Sequence, residues 1–338
     1  MNILITGGAG FIGSNSAKYF SDKGHKVTVF DDLSRKGSEK NLAWLQQTCS
    51  IEFIHGDVRR VTDINNVLVN KGPFDLVLHL AGQVAVTTSV TNPREDFERN
   101  TLGAFNILEA VRLVSPKTVT IYSSTNKVYG SMENIKIVER YNRYEYADMP
   151  SGIDEKQNLD FHSPYGCSKG SADQYFRDYA RIYGLKTVVL RQSCIYGYRQ
   201  FGMEDQGWVA WFCIAVALGK QITIYGNGKQ VRDILFIDDL IRLYEMAYAN
   251  IGIAAGKVFN VGGGPNNTLS LFELSTILES LSGKKIPLLY SDWRSGDQRA
   301  FVSNISLTEK TFGWKPIVNP YEGVDKLYAW VKNNIELF

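Results

Sequence analysis

Cysteine is scarce in this 338-residue chain, which has four (Cys49, Cys167, Cys194, Cys213), and its four histidines are His25, His55, His79 and His162. Neither set shows paired metal-ligand spacing, so free thiols are expected and a metal site is not. No apolar run reaches the roughly 18 residues that a membrane helix needs, so no membrane association is expected. Basic clusters are also missing, and a net charge of +2 argues against a dedicated nucleic-acid binder. There is no internal repeat and no low-complexity tract. Met1 leads straight into an apolar segment with no room for a signal peptide, and a cytoplasmic location is the expectation.

What is present is an alternation. Strand-like runs at 3–6, 26–30, 51–55, 74–80, 118–123 and 187–191 are separated by helical patterns. That order specifies an α/β fold with a doubly wound parallel sheet. The composition, 44% hydrophobic and 21% charged, is ordinary for a globular chain. The first run turns through Gly7, Gly10 and Gly13 into a helix that Phe11 and Ile12 open. Gly7 permits the tight turn, Gly10 lets a pyrophosphate approach the backbone, and Gly13 lets the helix lie close to the strand. The helix N-terminus adds amide donors and a partial positive charge. The spacing is G-x-x-G-x-x-G rather than the commoner G-x-G-x-x-G, and a glycine turn also occurs as plain structure.

The second run ends in Asp31-Asp32, placed for the adenosine ribose hydroxyls; an acid there favours NAD over NADP. Ser34 and Arg35 follow, and Arg35 pulls the other way. Asp57-Val58, Leu80-Ala81-Gly82-Gln83 and Ser123 fall at the ends of later strands, the edge where ligands bind in open α/β sheets. Thr125 stands at the end of the fifth strand, and Tyr165 and Lys169 are four apart on a helix predicted to reach Tyr183, hence on one face. A free tyrosine ionises near pH ~10, and the lysine ammonium and a positive nicotinamide ring would both favour the phenolate. Thr125 could then pass a proton between a substrate hydroxyl and Tyr165. Tyr-x-x-x-Lys is common in helices; the glycine turn upstream gives it weight.

Two domains are expected, 1–191 for the cofactor and 192–338 for the substrate, with some chain crossing between them. The stretch 132–162 shows no clear periodicity and reads as an insertion in the first domain, either a lid or substrate wall or a plain surface segment. Arg232, Arg294 and Arg299 are candidates to grip a diphosphate, because guanidinium matches phosphate oxygens bidentately; surface ion pairing is the other reading.

Together, Gly7 to Gly13, Asp31, Asp57, Thr125, Tyr165, Lys169, Arg232 and the segment 294–299 resemble the extended short-chain dehydrogenase/reductase family over nearly the whole chain. The resemblance implies a Rossmann-type domain holding NAD and a smaller C-terminal α/β domain holding a sugar nucleotide. Three stretches, 124–130, 160–170 and 205–212, look most like the branch of epimerases that invert C2 of CDP-linked 3,6-dideoxyhexoses. That implies tightly held NAD and a small-molecule CDP-sugar. It makes Tyr165 the base, Lys169 the ribose holder and Thr125 part of the proton relay. It also puts Asn100, Gln192 and Ser193 near the cofactor, and Asn126, His162, Gln206, Gly207, Trp208 and Arg232 near the substrate. A homodimer is implied, formed by the helices near 100–113 and 165–183.

C2 of such a sugar is not next to a carbonyl, so its hydrogen is not acidic. Inversion by transient oxidation to a 2-keto sugar suits the residues. A 4-epimerase would need the same Thr/Tyr/Lys set and is the near alternative. A 4,6-dehydratase is less suited: related dehydratases carry Asp-Glu after the threonine, where this chain has Asn126-Lys127. A non-catalytic NAD sensor would not need the intact set.

Overall fold

The structure, a computed structural model, describes residues 1–294 and 297–338. Its strands in chain order are β1 (Asn2–Thr6), β2 (Lys26–Asp31), β3 (Glu52–His55), β4 (Leu76–His79), β5 (Val119–Thr125), β6 (Ile137–Glu139), β7 (Tyr144–Tyr146), β8 (Thr187–Gln192), β9 (Cys194–Tyr196), β10 (Ile222–Tyr225), β11 (Val231–Phe236), β12 (Val258–Val261), β13 (Thr268–Ser270), β14 (Leu288–Ser291) and β15 (Ala300–Phe301). Helices α1 (Phe11–Asp22), α2 (Ser38–Thr48), α3 (Val61–Lys71), α4 (Val86–Thr91), α5 (Pro93–Phe97), α6 (Gly103–Val114), α7 (Ser163–Tyr183), α8 (Trp208–Ala217) and α9 (Ile237–Ala249) lie between them. A π-helical turn, Glu98–Leu102, joins α5 to α6.

The main sheet has seven strands in the order β12-β8-β5-β4-β1-β2-β3. β1 pairs in parallel with β2 on one side and β4 on the other, with Thr6 opposite both Phe30 and His79. The winding therefore reverses at β1/β4, the switch point at which such sheets bind ligands. The parallel sheet expected from the alternation is the observed one. Its strands are continuous apolar runs because helices cover both faces; Ile3, Leu4, Ile5, Leu76, Val77 and Leu78 are all buried. Ile64, Val67 and Leu68 of α3 and Ile107, Leu108 and Val111 of α6 recur at helical spacing and fill one core cluster.

The chain forms two compact units. The first comprises 1–128, 163–191 and 241–259; the second comprises 129–162, 192–240 and 260–338. Three features differ from the sequence expectation. The stretch 132–162 groups with the second unit rather than forming an insertion in the first. It is also not irregular throughout, since β6 and β7 form an antiparallel hairpin with Val138 opposite Glu145. β-branched and aromatic residues drive that pairing, but each strand is only three residues long, too short for its alternation to stand out. Finally, β12 returns to the edge of the first sheet beside β8. Local patterning cannot report a strand that comes home after so long an excursion.

In the second unit β11 is central, pairing in parallel with β9 and β15 and antiparallel with β13. Asp233 of β11 is fully buried and accepts from Ser193 Oγ and the Gly264 amide, which ties three segments together. Among the described residues no helix is long and apolar enough to cross a membrane.

Candidate active site

The glycine turn leaves β1 with Gly7 at φ +68° and its amide donating to the Phe30 carbonyl at 2.8 Å. A Cβ at Gly13 would stand 2.2 Å from the Gly7 carbonyl oxygen, and one at Gly7 would stand 2.7 Å from the Ala81 nitrogen. Larger residues at either position would therefore open the turn. Gly10 caps α1, Phe11 and Ile12 begin it, and its first turn carries no acidic side chain. The N-terminal amides are thus left for an anion. Asp31, at the end of β2, is buried and turned into this turn. It accepts from the Ala9 amide at 3.0 Å and the Leu33 amide at 2.8 Å, and burial raises its pKa. Asp32 accepts from Ser34 Oγ at 2.6 Å and from Arg99 at 2.9 Å. Arg99 is a partner that the sequence reading missed.

Along the same edge, Asp57 is held by Arg59 at 2.8 Å, and the Val58 carbonyl accepts from Asn106 at 2.9 Å. Leu80 and Ala81 follow β4, the Leu80 amide donating to the Thr6 carbonyl at 3.1 Å. Gln83 folds its side-chain amide back on the Ala85 backbone. Asn100 is buried in the π-helical turn. A Cβ at Gly82 would lie 2.5 Å from Asn100 Oδ1 and 4.0 Å from Lys169 Nζ, so glycine is what allows these groups to converge.

Tyr165, Lys169 and Thr125 do come together. The Thr125 hydroxyl hydrogen-bonds the Tyr165 phenol and also accepts the Lys127 amide at 3.2 Å. Tyr165 itself is anchored through its amide to Ser89 Oγ at 3.1 Å. Burial pushes the Tyr165 pKa up to about 12, against the opposing pull of Thr125. Lys169 donates to the Ser123 carbonyl and sits 4.4 Å from the centroid of the Tyr122 ring. Burial brings its pKa down to about 7, while Asp96 and Asp173 hold it up. The phenolate is therefore helped by Thr125 and Arg35. Lys169 gives its hydrogen bond to the Ser123 carbonyl.

The remaining candidates belong to two places. Asn126 is buried beside Thr125, with its Oδ1 3.4 Å from the Thr125 hydroxyl. The others lie in the second unit. Gln192 ends β8, and the Ser193 amide donates to the Val261 carbonyl at 2.8 Å. His162 lies 3.5 Å from Asp160 on a cavity of about 290 Å³ shared with Tyr129, Glu133 and Gln157. Gln206 closes a tight bridge with Met203, and Gly207, in the left-handed region, leads into α8 at Trp208. The indole N–H groups of Trp208 and Trp211 are buried without a partner. Arg232 is buried and paired with Asp297 at 2.6 Å. Arg294 lies over the Tyr225 ring at 3.8 Å, and Arg299 lies 5.6 Å from the Tyr144 centroid. Ser295 and Gly296 of the 294–299 segment lie outside the described residues.

The first unit's residues fit NAD. The turn is stripped of Cβ atoms where a pyrophosphate would approach, the α1 amides face that place, and Asn100 Oδ1 is a buried acceptor without a partner. A switch-point glycine turn beside a Thr/Tyr/Lys set defines an NAD-dependent enzyme of the extended short-chain dehydrogenase/reductase type. The chain belongs to the NAD dependent epimerase/dehydratase family, whose model matches residues 3–262. It is 49% identical to a CDP-paratose 2-epimerase of Salmonella typhi, over 98% of this chain and 100% of that one. Among solved structures it is similar to the UDP-glucose 4-epimerase of Thermotoga maritima with UDP-glucose (30% identity, TM-score 0.85, 99% of this chain and 100% of that one). The NAD complex of the Thermus thermophilus UDP-glucose 4-epimerase is another neighbour (28%, TM-score 0.82, 99% and 100%). The protein is accordingly an isomerase that works with NAD.

Proposed function

We propose that this enzyme inverts C2 of a CDP-linked hexose, of the CDP-paratose to CDP-tyvelose kind, by oxidation and re-reduction at that carbon. The observation that carries the reading is the hydrogen-bonded Thr125–Tyr165 pair with Lys169 four residues on, set in a chain half identical to a CDP-paratose 2-epimerase. Tyr165 removes the proton from the C2 hydroxyl, and Thr125 links that hydroxyl to the phenol. When bound, NAD would supply positive charge and a hydride acceptor able to return the hydride. The oxidised carbon is flat, so return from the other face inverts it while Tyr165 restores the proton. Proton transfer of this kind is worth roughly 10² to 10⁴-fold. Asn126 and Lys127 stand where an eliminating acid pair would be needed, which favours epimerisation over dehydration.

The unpartnered indoles of Trp208 and Trp211 and the buried Oε1 of Gln230 support a polar ligand in the second unit. Arg232, Arg294 and Arg299 are the groups we assign to the diphosphate, and Gln206 and Gly207 to the nucleotide. Arg232 would exchange Asp297 for a phosphate oxygen.

NMR of the enzyme with CDP-paratose in D₂O tests the reading. Inversion without deuterium at C2 is expected. Deuterium at C2 would mean proton exchange and would exclude the hydride route, and no inversion would move the reading to a 4-epimerase. Tyr165→Phe should nearly abolish turnover with NAD still bound; turnover within about tenfold of the parent would remove Tyr165 as the base.

We also propose a homodimer. Phe97, Leu113, Tyr175, Ile182 and Tyr183, on α5 to α7 of the first unit, are all exposed, a density of large apolar groups that a second copy would cover. Sedimentation at micromolar concentration should give twice the chain mass; a monomer there would refute it.

A further inference from the structure

Asp96 is a fully buried carboxylate that the reaction above does not use. It stands near the end of α5, four residues before Asn100, so the two share a helix face. Its Oδ1 accepts from Asn100 Nδ2 at 3.1 Å, and its Oδ2 accepts from Ser168 Oγ. Ser168 Oγ in turn accepts from the same Asn100 nitrogen at 3.1 Å. Ser168 immediately precedes Lys169 on α7, and Thr101 Oγ1 donates to the Ser168 carbonyl at 3.0 Å, which locks the π-helical turn against α7. Wide turns of this sort are frequent at functional sites.

A side-chain amide can present either its oxygen or its nitrogen to a site. An ionised carboxylate only accepts, so whatever faces it must donate. The Asn100 nitrogen is therefore drawn to Asp96 and Ser168, and the oxygen is turned the opposite way. That oxygen is buried, unpartnered, and directed to the space beside Gly82 and Lys169.

We propose that Asp96 is a positioning residue of the cofactor site: through Ser168 and Asn100 it fixes the Asn100 amide with its carbonyl oxygen toward the cofactor, ready for an N–H or O–H donor of the nicotinamide riboside. The same carboxylate also favours the charged form of Lys169. With a neutral residue at 96 the amide is free to turn, and a donor would then face a donor.

The test needs no sugar, so it stands whichever carbon the enzyme inverts. The whole chain, freed of nucleotide, is titrated with NAD by calorimetry, and its melting temperature is recorded alongside. Asp96→Asn should weaken NAD binding about tenfold, the size of one buried hydrogen bond made wrongly, while melting within a few degrees of the parent. The charge-exchanged variant, Asp96→Asn with Asn100→Asp, offers only oxygens to the cofactor whichever way residue 100 turns, and the amide at 96 can donate back to it. It should recover NAD affinity to within about threefold of the parent. If Asp96→Asn does not fold, the exchanged variant alone decides: folding with near-parental affinity supports the proposal. Unchanged affinity in Asp96→Asn, or an exchanged variant that binds no better than Asp96→Asn, would overturn it.

Discussion

Asp173 and Asp96 are both fully buried, and both favour the ammonium form of Lys169, yet they are held in opposite ways. Asp173 meets the Arg191 guanidinium at 2.8 and 3.0 Å, and Ser124 Oγ and Gln174 Nε2 complete its shell at 2.8 Å each. Charge matches charge, and the pair welds α7 to β8. Asp96 has a hydroxyl and an amide as donors, and burial raises its pKa. Equal burial therefore reports two jobs. A carboxylate closed by a guanidinium serves the scaffold, whereas one closed by neutral donors orients those donors.

The sharpest break in this comparison is Arg191→Met. It leaves the Asp173 charge buried and unpaired, and removing one partner of such a pair destabilises by about 3–5 kcal/mol. Asp96→Asn should lose under about 1 kcal/mol, because its neutral donors keep an acceptor. Urea denaturation of both variants makes the comparison. Equal losses would mean that the two carboxylates do the same work.

Lys169 lies under the influence of both, and its titration sharpens the contrast next. Its pKa is about 7 in the folded protein against an unperturbed value of 10.5. Between those values the unfolded chain keeps a proton that the folded chain has released. Stability therefore rises with pH from about 7 toward 10, by at most about 1.4 kcal/mol per unit. Lys169→Met should flatten that rise while abolishing turnover. Urea midpoints at pH 7, 8 and 9 check it. A rise that persists in the variant would belong to another group.

Much of this site was legible because its parts are local. Gly7, Gly10 and Gly13, and Tyr165 with Lys169, are each set by spacing within one turn or helix. Thr125 is marked by its place at a strand end. The alternation of runs likewise fixed the main sheet, apart from β12, whose pairing with β8 is nonlocal. Asp96 and Ser168 escaped notice although Asp96 and Asn100 have helical i, i+4 spacing. Nothing in that spacing says that both turn inward onto a third helix. Arg99 was missed for the same reason: its partner Asp32 is 67 residues away, at the end of another strand.

The smallest test compares the two serines. Ser124 donates to Asp173, and Ser168 donates to Asp96. Each exchange for alanine removes one hydrogen bond to a buried carboxylate, and each should destabilise by about 1 kcal/mol. The stability readings should therefore be alike, and the cofactor readings should part. After Ser124→Ala, Asp173 still has Arg191 and Gln174, nothing near Asn100 changes, and NAD affinity should stay within about twofold. After Ser168→Ala, the Asn100 nitrogen keeps Asp96 but loses its second acceptor. Its amide is held less firmly, and NAD binding should weaken by about threefold. Calorimetric titration of the two variants resolves a difference of that size. If both weaken NAD equally, the distinction drawn between the carboxylates is wrong. If Ser168→Ala leaves affinity untouched, Asp96 orients Asn100 without the serine's help.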